Sequence, residues 1–268
     1  MEQRKLEEIQ FHDNIRSLDI DDPHYERQHS NRKFYSIGRR TETFPKEWLL
    51  QRCANRRVLV FGCGSGAQSF YLAKANAQVA GIDISSVAIG LARKRAIQEG
   101  VEKNTSFYVM DCEAMAFPDN CFDIIIAAGV LHHLDLPRAY REMARTLKPD
   151  GQIICVEALG HNPVIQLYRK LTPHLRTAWE AEHILRMKDL KLARRFFAKV
   201  DARFYHLFTL AAVPFRRTRI FSSVLSAMEA IDKVVLRVPF IRTQAWQVIF
   251  ILSQPNKELF KQDRHNPC

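Results

Sequence analysis

The sequence has few cysteines, and none of them stands in a metal-binding pattern. The six cysteines form no Cys-x-x-Cys pair and lack the spacing of a Cys/His zinc site. No apolar run reaches the roughly 20 residues that a membrane-spanning helix needs. The charged N-terminus MEQRKLEEIQFHD also lacks the apolar core of a secretory signal. We therefore expect a cytoplasmic protein with reduced, mostly buried thiols and no bound metal.

Acidic residues are scarce in the last two-fifths of the chain. Residues 161–268 contain 19 Lys and Arg but only 8 Asp and Glu, which accounts for the whole formal net charge of +11. Such a surface could face an anionic acceptor, lie peripherally on an anionic membrane, or simply be solvated. Nucleic acid is disfavoured as a partner, because the basic residues alternate with aliphatic residues and form no stripe with aromatic ones.

Apolar runs and helical spacing alternate through the middle of the sequence. The predicted strands span 58–62, 79–85, 105–111, 122–129 and 152–158, and helical patterns lie between them. Two later runs, at 199–208 and 246–253, also look like strands. This alternation predicts an α/β fold with a doubly wound, mostly parallel sheet. Ligands of such sheets bind beyond the carboxyl ends of the strands, so the site residues should follow strands.

A glycine-rich loop, GCGSGA, follows the first predicted strand. Glycines let backbone N–H groups approach a ligand closely at a helix N-terminus. The loop lacks the Lys-Ser/Thr of a P-loop but satisfies the dinucleotide pattern. Asp83 ends the second strand, 21 residues after Gly62. This is the sequence separation expected for a carboxylate that binds ribose hydroxyls, and it fits NAD and other adenosine ligands equally. Asp111 ends the third strand, where an acid can accept from an adenine amine, and no second copy of the motif is visible for a dinucleotide.

These segments resemble the class I S-adenosylmethionine-dependent methyltransferases, especially the type-11 group that includes quinone-biosynthesis methyltransferases. The resemblance covers residues 55–158 and depends on VLVFGCGSG, GIDIS, DCEAMAFPDNCFD, GVLHHL and LKPDG in this order and spacing. It implies a Rossmann-like, seven-stranded sheet and S-adenosylmethionine as the cofactor. The implied parts of the chain are an N-terminal helical lid at 1–50, a cofactor-binding core at 51–158 and a C-terminal part at 159–268. In that last part, a basic and apolar insertion at about 209–245 should cap the active site.

The resemblance also implies a set of cofactor-binding residues. It assigns the methionine moiety to Gly62, Gly64, Gly66 and Gly129, the ribose to Asp83, the adenine face to Ile84, and the adenine edge to Asp111 with Cys112. Tyr35 of the N-terminal segment could close over the cofactor as part of a lid, or the segment could be an ordinary docked helix. Phe61 stands where the family usually carries an acid. This departure puts the affinity for the cofactor in question more than its identity.

Histidines and acids near the ends of strands four and five are the candidate catalytic groups. Transfer to a carboxylate or enolate needs no base, whereas transfer to a hydroxyl is accelerated by one. The candidate catalytic residues are His133, Glu157 and His161, with Glu157 and His161 as the preferred acid/base pair. The candidate substrate-binding residues are His12, His132, Arg169, Arg176 and His183. The histidine pair could alternatively shape the cofactor pocket, and the two arginines could either clamp an anionic acceptor or form salt bridges.

The sequence as a whole therefore predicts a small-molecule methyltransferase. We expect O-methylation of a hydroxyl or carboxylate on a hydrophobic acceptor, with or without an anionic group. One alternative is C-methylation of a quinone-like or isoprenoid-like acceptor at a membrane surface. Another is a protein that binds S-adenosylmethionine without turning it over. The oligomeric state is not predicted.

Overall fold

The computed structural model describes residues 2–17 and 30–260, which fall into two compact units. Unit 1 contains the described residues up to Pro45 together with Ala158–Met187 and Arg203–Ile249. Unit 2 contains Lys46–Glu157, Lys188–Ala202 and the described residues from Phe250 onwards. The segment predicted as a lid and much of the predicted C-terminal part therefore share one unit. The predicted core makes up most of the other.

Within the described residues, seven strands form one sheet in the order β3-β2-β1-β4-β5-β7-β6. The strands are β1 (Arg57–Phe61), β2 (Gln78–Asp83), β3 (Thr105–Val109), β4 (Phe122–Ala128), β5 (Leu147–Ala158), β6 (Phe197–Tyr205) and β7 (Gln247–Pro255). The neighbours among β1 to β5 pair in parallel. The apolar runs of β1 and β4 are almost wholly buried, as expected for strands covered on both faces. The predicted α/β fold with a mostly parallel sheet is confirmed.

Side-chain caps explain where several helices begin. The helices are α1 (Gln3–Ser17), α2 (Arg32–Tyr35), α3 (Arg39–Leu50), α4 (Ala67–Lys74), α5 (Ser86–Gln98), α6 (Leu136–Thr146), α7 (Pro163–Leu171), α8 (Ala178–Glu182), α9 (Met187–Ala193), α10 (Phe221–Val235) and α11 (Pro239–Arg242). Ser85, Asp135 and Asn162 each accept a backbone N–H from the first turn of α5, α6 and α7, respectively. Within the described residues, none of the helices combines the length and the hydropathy of a membrane span.

Strand β5 begins earlier than the sequence predicts. The run LKPDG, which precedes the strand predicted at 152–158, is part of β5. The pairing with β4 shifts register there, since Phe122 faces Leu147 but Ile124 faces Gln152. The turn-forming residues are therefore accommodated as an irregularity inside the strand.

Unit 1 is built around a core of its own. Six buried residues from distant parts of the sequence form it: Ile37, Ile165, Ala212, Val213, Leu225 and Trp246. Phe34 of α2 packs its ring 5.8 Å from that of Trp246 and 4.7 Å from that of Tyr168. The N-terminal helices and the C-terminal helical segment are thus held together by shared apolar burial.

Candidate active site

The glycine loop between β1 and α4 has a backbone that only glycine adopts easily. Gly62 and Gly66 have φ angles of +70° and +88°, and Gly66 caps the N-terminus of α4. A Cβ on Gly62 would lie 2.4 Å from Cγ2 of Val130. The segment after β4 therefore packs directly against the loop, and a side chain at 62 would push the two apart. Gly64 also has a positive φ, of +52°.

Asp83 at the end of β2 is fixed by the same loop. Its Oδ2 accepts the N–H of Gly64 at 2.9 Å, and its Oδ1 accepts the N–H of Ser85 at 2.9 Å. Asp83 is partly exposed. Each carboxylate oxygen can accept a further hydrogen bond. The carboxylate is therefore held in place and still has the capacity to accept two hydroxyl groups.

Asp111 and Cys112 follow β3 at the same end of the sheet. Burial raises the pKa of the Cys112 thiol well above its usual value, and the charges of Asp83 and Asp111 raise it further. Met110, the residue before Asp111, donates its N–H to the carbonyl of Asp83 at 3.0 Å, so the two acids lie at neighbouring strand ends. Asp111 is itself oriented, since its Oδ1 accepts the N–H of Glu113 at 2.8 Å. The cofactor residues predicted on β2 and β3 are thus brought together.

Two further predicted cofactor residues lie on loops of unit 2. Ile84 directly follows Asp83 and is partly exposed. Gly129 follows β4, is exposed, and has a φ of +63°. Its N–H donates to the carbonyl of Val156 at 2.9 Å, which ties the end of β4 to β5.

Glu157 near the end of β5 is the most densely bonded acid of this region. Its side chain is fully buried, and its Oε1 accepts the N–H groups of Val130 and Leu131 at 2.9 and 2.8 Å. Its Oε2 lies 2.7 Å from Nδ1 of His132. A carboxylate that receives this set of donors orients the imidazole with Nδ1–H directed at Oε2, which makes Nε2 the basic nitrogen. The His132 side chain is 16% exposed, whereas that of Glu157 is fully buried.

The side-chain partner of Glu157 differs from the one that the sequence analysis preferred. Glu157 was expected to act with His161, but its closest side-chain partner is His132, which was predicted only as a substrate-binding residue. His161 lies in unit 1, where its Nε2 accepts the N–H of Met187 at 3.2 Å. His133 stands beside His132 with the ring centroids 4.1 Å apart. Catalytic roles for His133 and His161 stay predictions.

The two arginines predicted to clamp an anionic acceptor belong to an internal network of unit 1. Arg169 donates to a side-chain and a backbone oxygen of Glu180 at 3.3 and 2.8 Å. Arg176 donates to the carbonyls of Arg169 and Thr172 at 2.8 and 2.5 Å. Both side chains are nearly buried. Burial, with the charge of Arg169, lowers the pKa of Arg176. Both side chains therefore form salt bridges and hydrogen bonds within the α7–α8 connection, and their contact with an anionic acceptor stays a prediction.

The remaining predicted residues lie in unit 1. His12 of α1 faces Glu8, with 3.5 Å between Nε2 and Oε2, and Glu8 also accepts the hydroxyl hydrogen of Thr177. His183 stacks on Trp179, with ring centroids 3.6 Å apart. Tyr35 of α2 is half exposed and packs its ring 5.5 Å from that of Trp246. Contacts of these three residues with cofactor or substrate stay predictions.

Sequence reasoning missed two buried acids that organise the chain. Glu113 accepts the N–H of Asp135 at 2.8 Å and so fixes the start of α6. Asp232 of α10 accepts the N–H groups of Leu207, Phe208 and Thr209 and the hydroxyl of Thr209, which holds the start of the 3-10 helix Phe208–Phe215. Asp232 could have been suspected, because it lies on the apolar face of an otherwise amphipathic helix.

The comparisons with known proteins agree with this geometry. Residues 59–155 match a family model described as a methyltransferase domain, Methyltransf_11. The chain is 40% identical over 101 residues to phosphoethanolamine N-methyltransferase 1 of Arabidopsis thaliana, a match that covers 37% of this chain and 20% of the relative. It is 35% identical over 114 residues to the ubiquinone/menaquinone biosynthesis C-methyltransferase UbiE of Cellvibrio japonicus. That match covers 41% of this chain and 46% of the relative. The chain thus spans less than half the length of either relative.

Solved structures show the same fold. The chain is similar to geranyl diphosphate C-methyltransferase from Streptomyces coelicolor A3(2), solved with Mg²⁺, geranyl diphosphate and S-adenosyl-L-homocysteine. The TM-score is 0.56 at 15% identity, and the match covers 88% of this chain and 86% of that one. At this identity the likeness concerns the fold.

Proposed function

Because residues 59–155 belong to the type-11 group of class I S-adenosylmethionine-dependent methyltransferases, we propose that the whole chain transfers a methyl group to a small hydrophobic acceptor. The match to the family model confirms two parts of the sequence-based prediction, namely the family and S-adenosylmethionine as its cofactor. The observation that carries the proposal is the Asp83 carboxylate, held at the end of β2 by the N–H groups of Gly64 and Ser85.

The residues of unit 2 fit S-adenosylmethionine. Asp83 would bind the ribose hydroxyls, since both of its oxygens are oriented and retain acceptor capacity. Asp111, oriented by the N–H of Glu113, would accept from the adenine amine, with Ile84 packed on the ring. The loop from Gly62 to Gly66 would lie along the methionine part, where a backbone without side chains permits close approach. When bound, this cofactor supplies an electrophilic methyl group on sulfur.

We further propose that the acceptor atom is a hydroxyl oxygen and that His132 removes its proton. With Nδ1–H donated to Glu157, Nε2 is the basic nitrogen of the ring, and the buried carboxylate stabilises the imidazolium that forms. Glu157 is then a positioning residue. Its two bonds to the backbone at Val130 and Leu131 also fix the 3-10 helix Leu131–His133, which carries the imidazole.

C-methylation is the second candidate. It is supported by the similarity to a C-methyltransferase of quinone biosynthesis and by the exposed apolar side chains of unit 1. A phenol-like ring would also lose a proton during methylation, so the same imidazole would serve. The two candidates differ in the product, because an O-methyl group is lost on ether or ester cleavage and a C-methyl group is retained.

The proposal is tested by methyl transfer from labelled S-adenosylmethionine to small molecules extracted from cells that lack the protein. We expect label in an organic-soluble product, with loss of most of the activity in Asp83→Asn. The matched control is Asp201→Asn, which changes an exposed acid of β6 that is paired with Lys199. Equal activity in Asp83→Asn and the control would contradict the ribose assignment. Absence of any labelled product would favour a protein that binds the cofactor without turnover.

A further inference from the structure

Unit 1 exposes an apolar surface at the end of α10 and along α11. Ile231, Val234 and Val238 follow one another at helical spacing, so they lie on one side of α10 and its C-terminal turn. Phe240 and Ile241 of α11 come directly afterwards. Val234 is 64% exposed and Phe240 is 87% exposed. We call these five residues the α10–α11 surface.

The charges that border this surface are positive. Lys233 and Arg237 are exposed and lie one helical turn apart, beside Val234 and Val238. The acids of the same helix, Glu229 and Asp232, are buried and already bound by Arg39 and by backbone N–H groups, respectively. Both carboxylates are therefore engaged by partners inside unit 1.

A basic cavity lies against the same helix. Its volume is about 490 Å³, and its lining carries four cationic side chains, Arg40, Arg203, Lys233 and Arg237, against two acids, Glu229 and Asp232. Nε of Arg40 lies 3.3 Å from Oε2 of Glu229, so the excess of positive charge comes mainly from the other three cations. Tyr205 and Thr209 add hydroxyl groups to the wall. Two of the four cations are thus shared by the cavity and the border of the apolar surface. An exposed apolar patch with adjoining cationic groups matches a surface with phosphates outside and acyl chains beneath.

We propose that the α10–α11 surface docks on an anionic lipid bilayer. Val234, Val238, Phe240 and Ile241 enter the boundary between headgroups and acyl chains, while the cations of the border and the cavity contact lipid phosphates. Charge complementarity favours this occupant over a second copy of the chain. A symmetric dimer through this surface would bring Lys233 and Arg237 of both copies together.

The test is flotation of the full chain with vesicles of phosphatidylcholine, with and without phosphatidylglycerol. We expect binding to the anionic vesicles only. It should weaken when the salt is raised from about 0.1 M to about 1 M, where the Debye length falls from about 10 to about 3 Å. Phe240→Ser should weaken binding about tenfold. Its matched control is Ile97→Ser on α5 of unit 2, where the side chain is 68% exposed. That variant should bind like the wild type.

The charge contribution is tested separately. Lys233→Gln with Arg237→Gln should weaken binding about 25-fold at low salt. Lys94→Gln with Lys103→Gln, which removes two exposed cations of unit 2, should have little effect. Circular dichroism shows whether each variant is folded, and an exposed-site change should leave the spectrum unaltered.

Three outcomes would overturn the proposal. The first is no flotation with anionic vesicles at low salt, and the second is flotation that is equal for Phe240→Ser and Ile97→Ser. The third is a dimer in sedimentation velocity that Phe240→Ser abolishes, which would assign the surface to a second copy of this chain. None of these measurements involves methyl transfer, so their failure leaves the proposed function unaffected.

Discussion

One buried histidine of unit 1 makes a defined contribution to the pH dependence of stability. His206 is only 3% exposed, and its two ring nitrogens lie 3.2 Å from the hydroxyl of Thr41 and 3.0 Å from that of Thr209. Burial, with the nearby charge of Arg40, lowers the pKa of His206 from 6.5 to about 4. The ring is therefore neutral in the folded protein at neutral pH.

The sign of the effect follows from where the proton binds first. Because the pKa is lower in the folded chain, the unfolded chain takes up the proton first as the pH falls below about 6.5. The free energy of unfolding should therefore decrease as the pH falls from about 6.5 to about 4 and show no contribution from His206 above that range. The pKa difference corresponds to about 3 kcal/mol, at about 1.36 kcal/mol per pH unit.

His206→Asn isolates this contribution. His206 has a φ of +66°, a backbone conformation that asparagine tolerates better than most residues. We expect the variant to be less stable than the wild type at neutral pH, because packing is lost. On acidification, however, its unfolding free energy should decrease less than that of the wild type. Urea unfolding followed by circular dichroism from about pH 7.5 to about pH 4.5 measures both slopes. Parallel curves for the two proteins would refute the assignment.

Three further changes test the site and unit 1. Gly62→Ala should destabilise the protein by about 1–3 kcal/mol in urea unfolding, because alanine strains the positive φ and its Cβ would contact Val130. Glu157→Gln should lower kcat about 10²-fold or more and alter its pH profile with little change in KM, whereas an unchanged profile would remove Glu157 from the orientation of His132. Asp232→Asn should lower the unfolding free energy by about 1–3 kcal/mol, because one of the backbone N–H groups after β6 loses its acceptor.

The parts of the fold that the sequence predicts correctly are those determined by local patterns. The apolar runs of β1 and β4 and the glycine loop can be recognised without knowing their neighbours. Asp83 could be placed for the same reason, because the end of a strand fixes which edge of the sheet it occupies.

The side-chain pairings could not be predicted in the same way. Glu157 was assigned to the correct strand end. Its pairing with His132 rather than His161, however, depends on how β4 and β5 lie side by side. Arg169 and Arg176 looked equally suited to an anionic acceptor. Only the folded chain shows that both turn towards Glu180 and nearby carbonyls. Long-range packing around Trp246 likewise decides that the N-terminal helices join the C-terminal segment in unit 1.

The most direct test of the central claim is calorimetric titration of S-adenosylmethionine into the wild type, Asp83→Asn and Asp201→Asn. We expect one site per chain in the wild type and in Asp201→Asn. In Asp83→Asn the affinity should be weaker by about 100-fold, because hydrogen bonds to a charged carboxylate are lost. Equal affinity in all three proteins, or no binding to the wild type, would contradict the placement of the cofactor at the ends of β1 to β3.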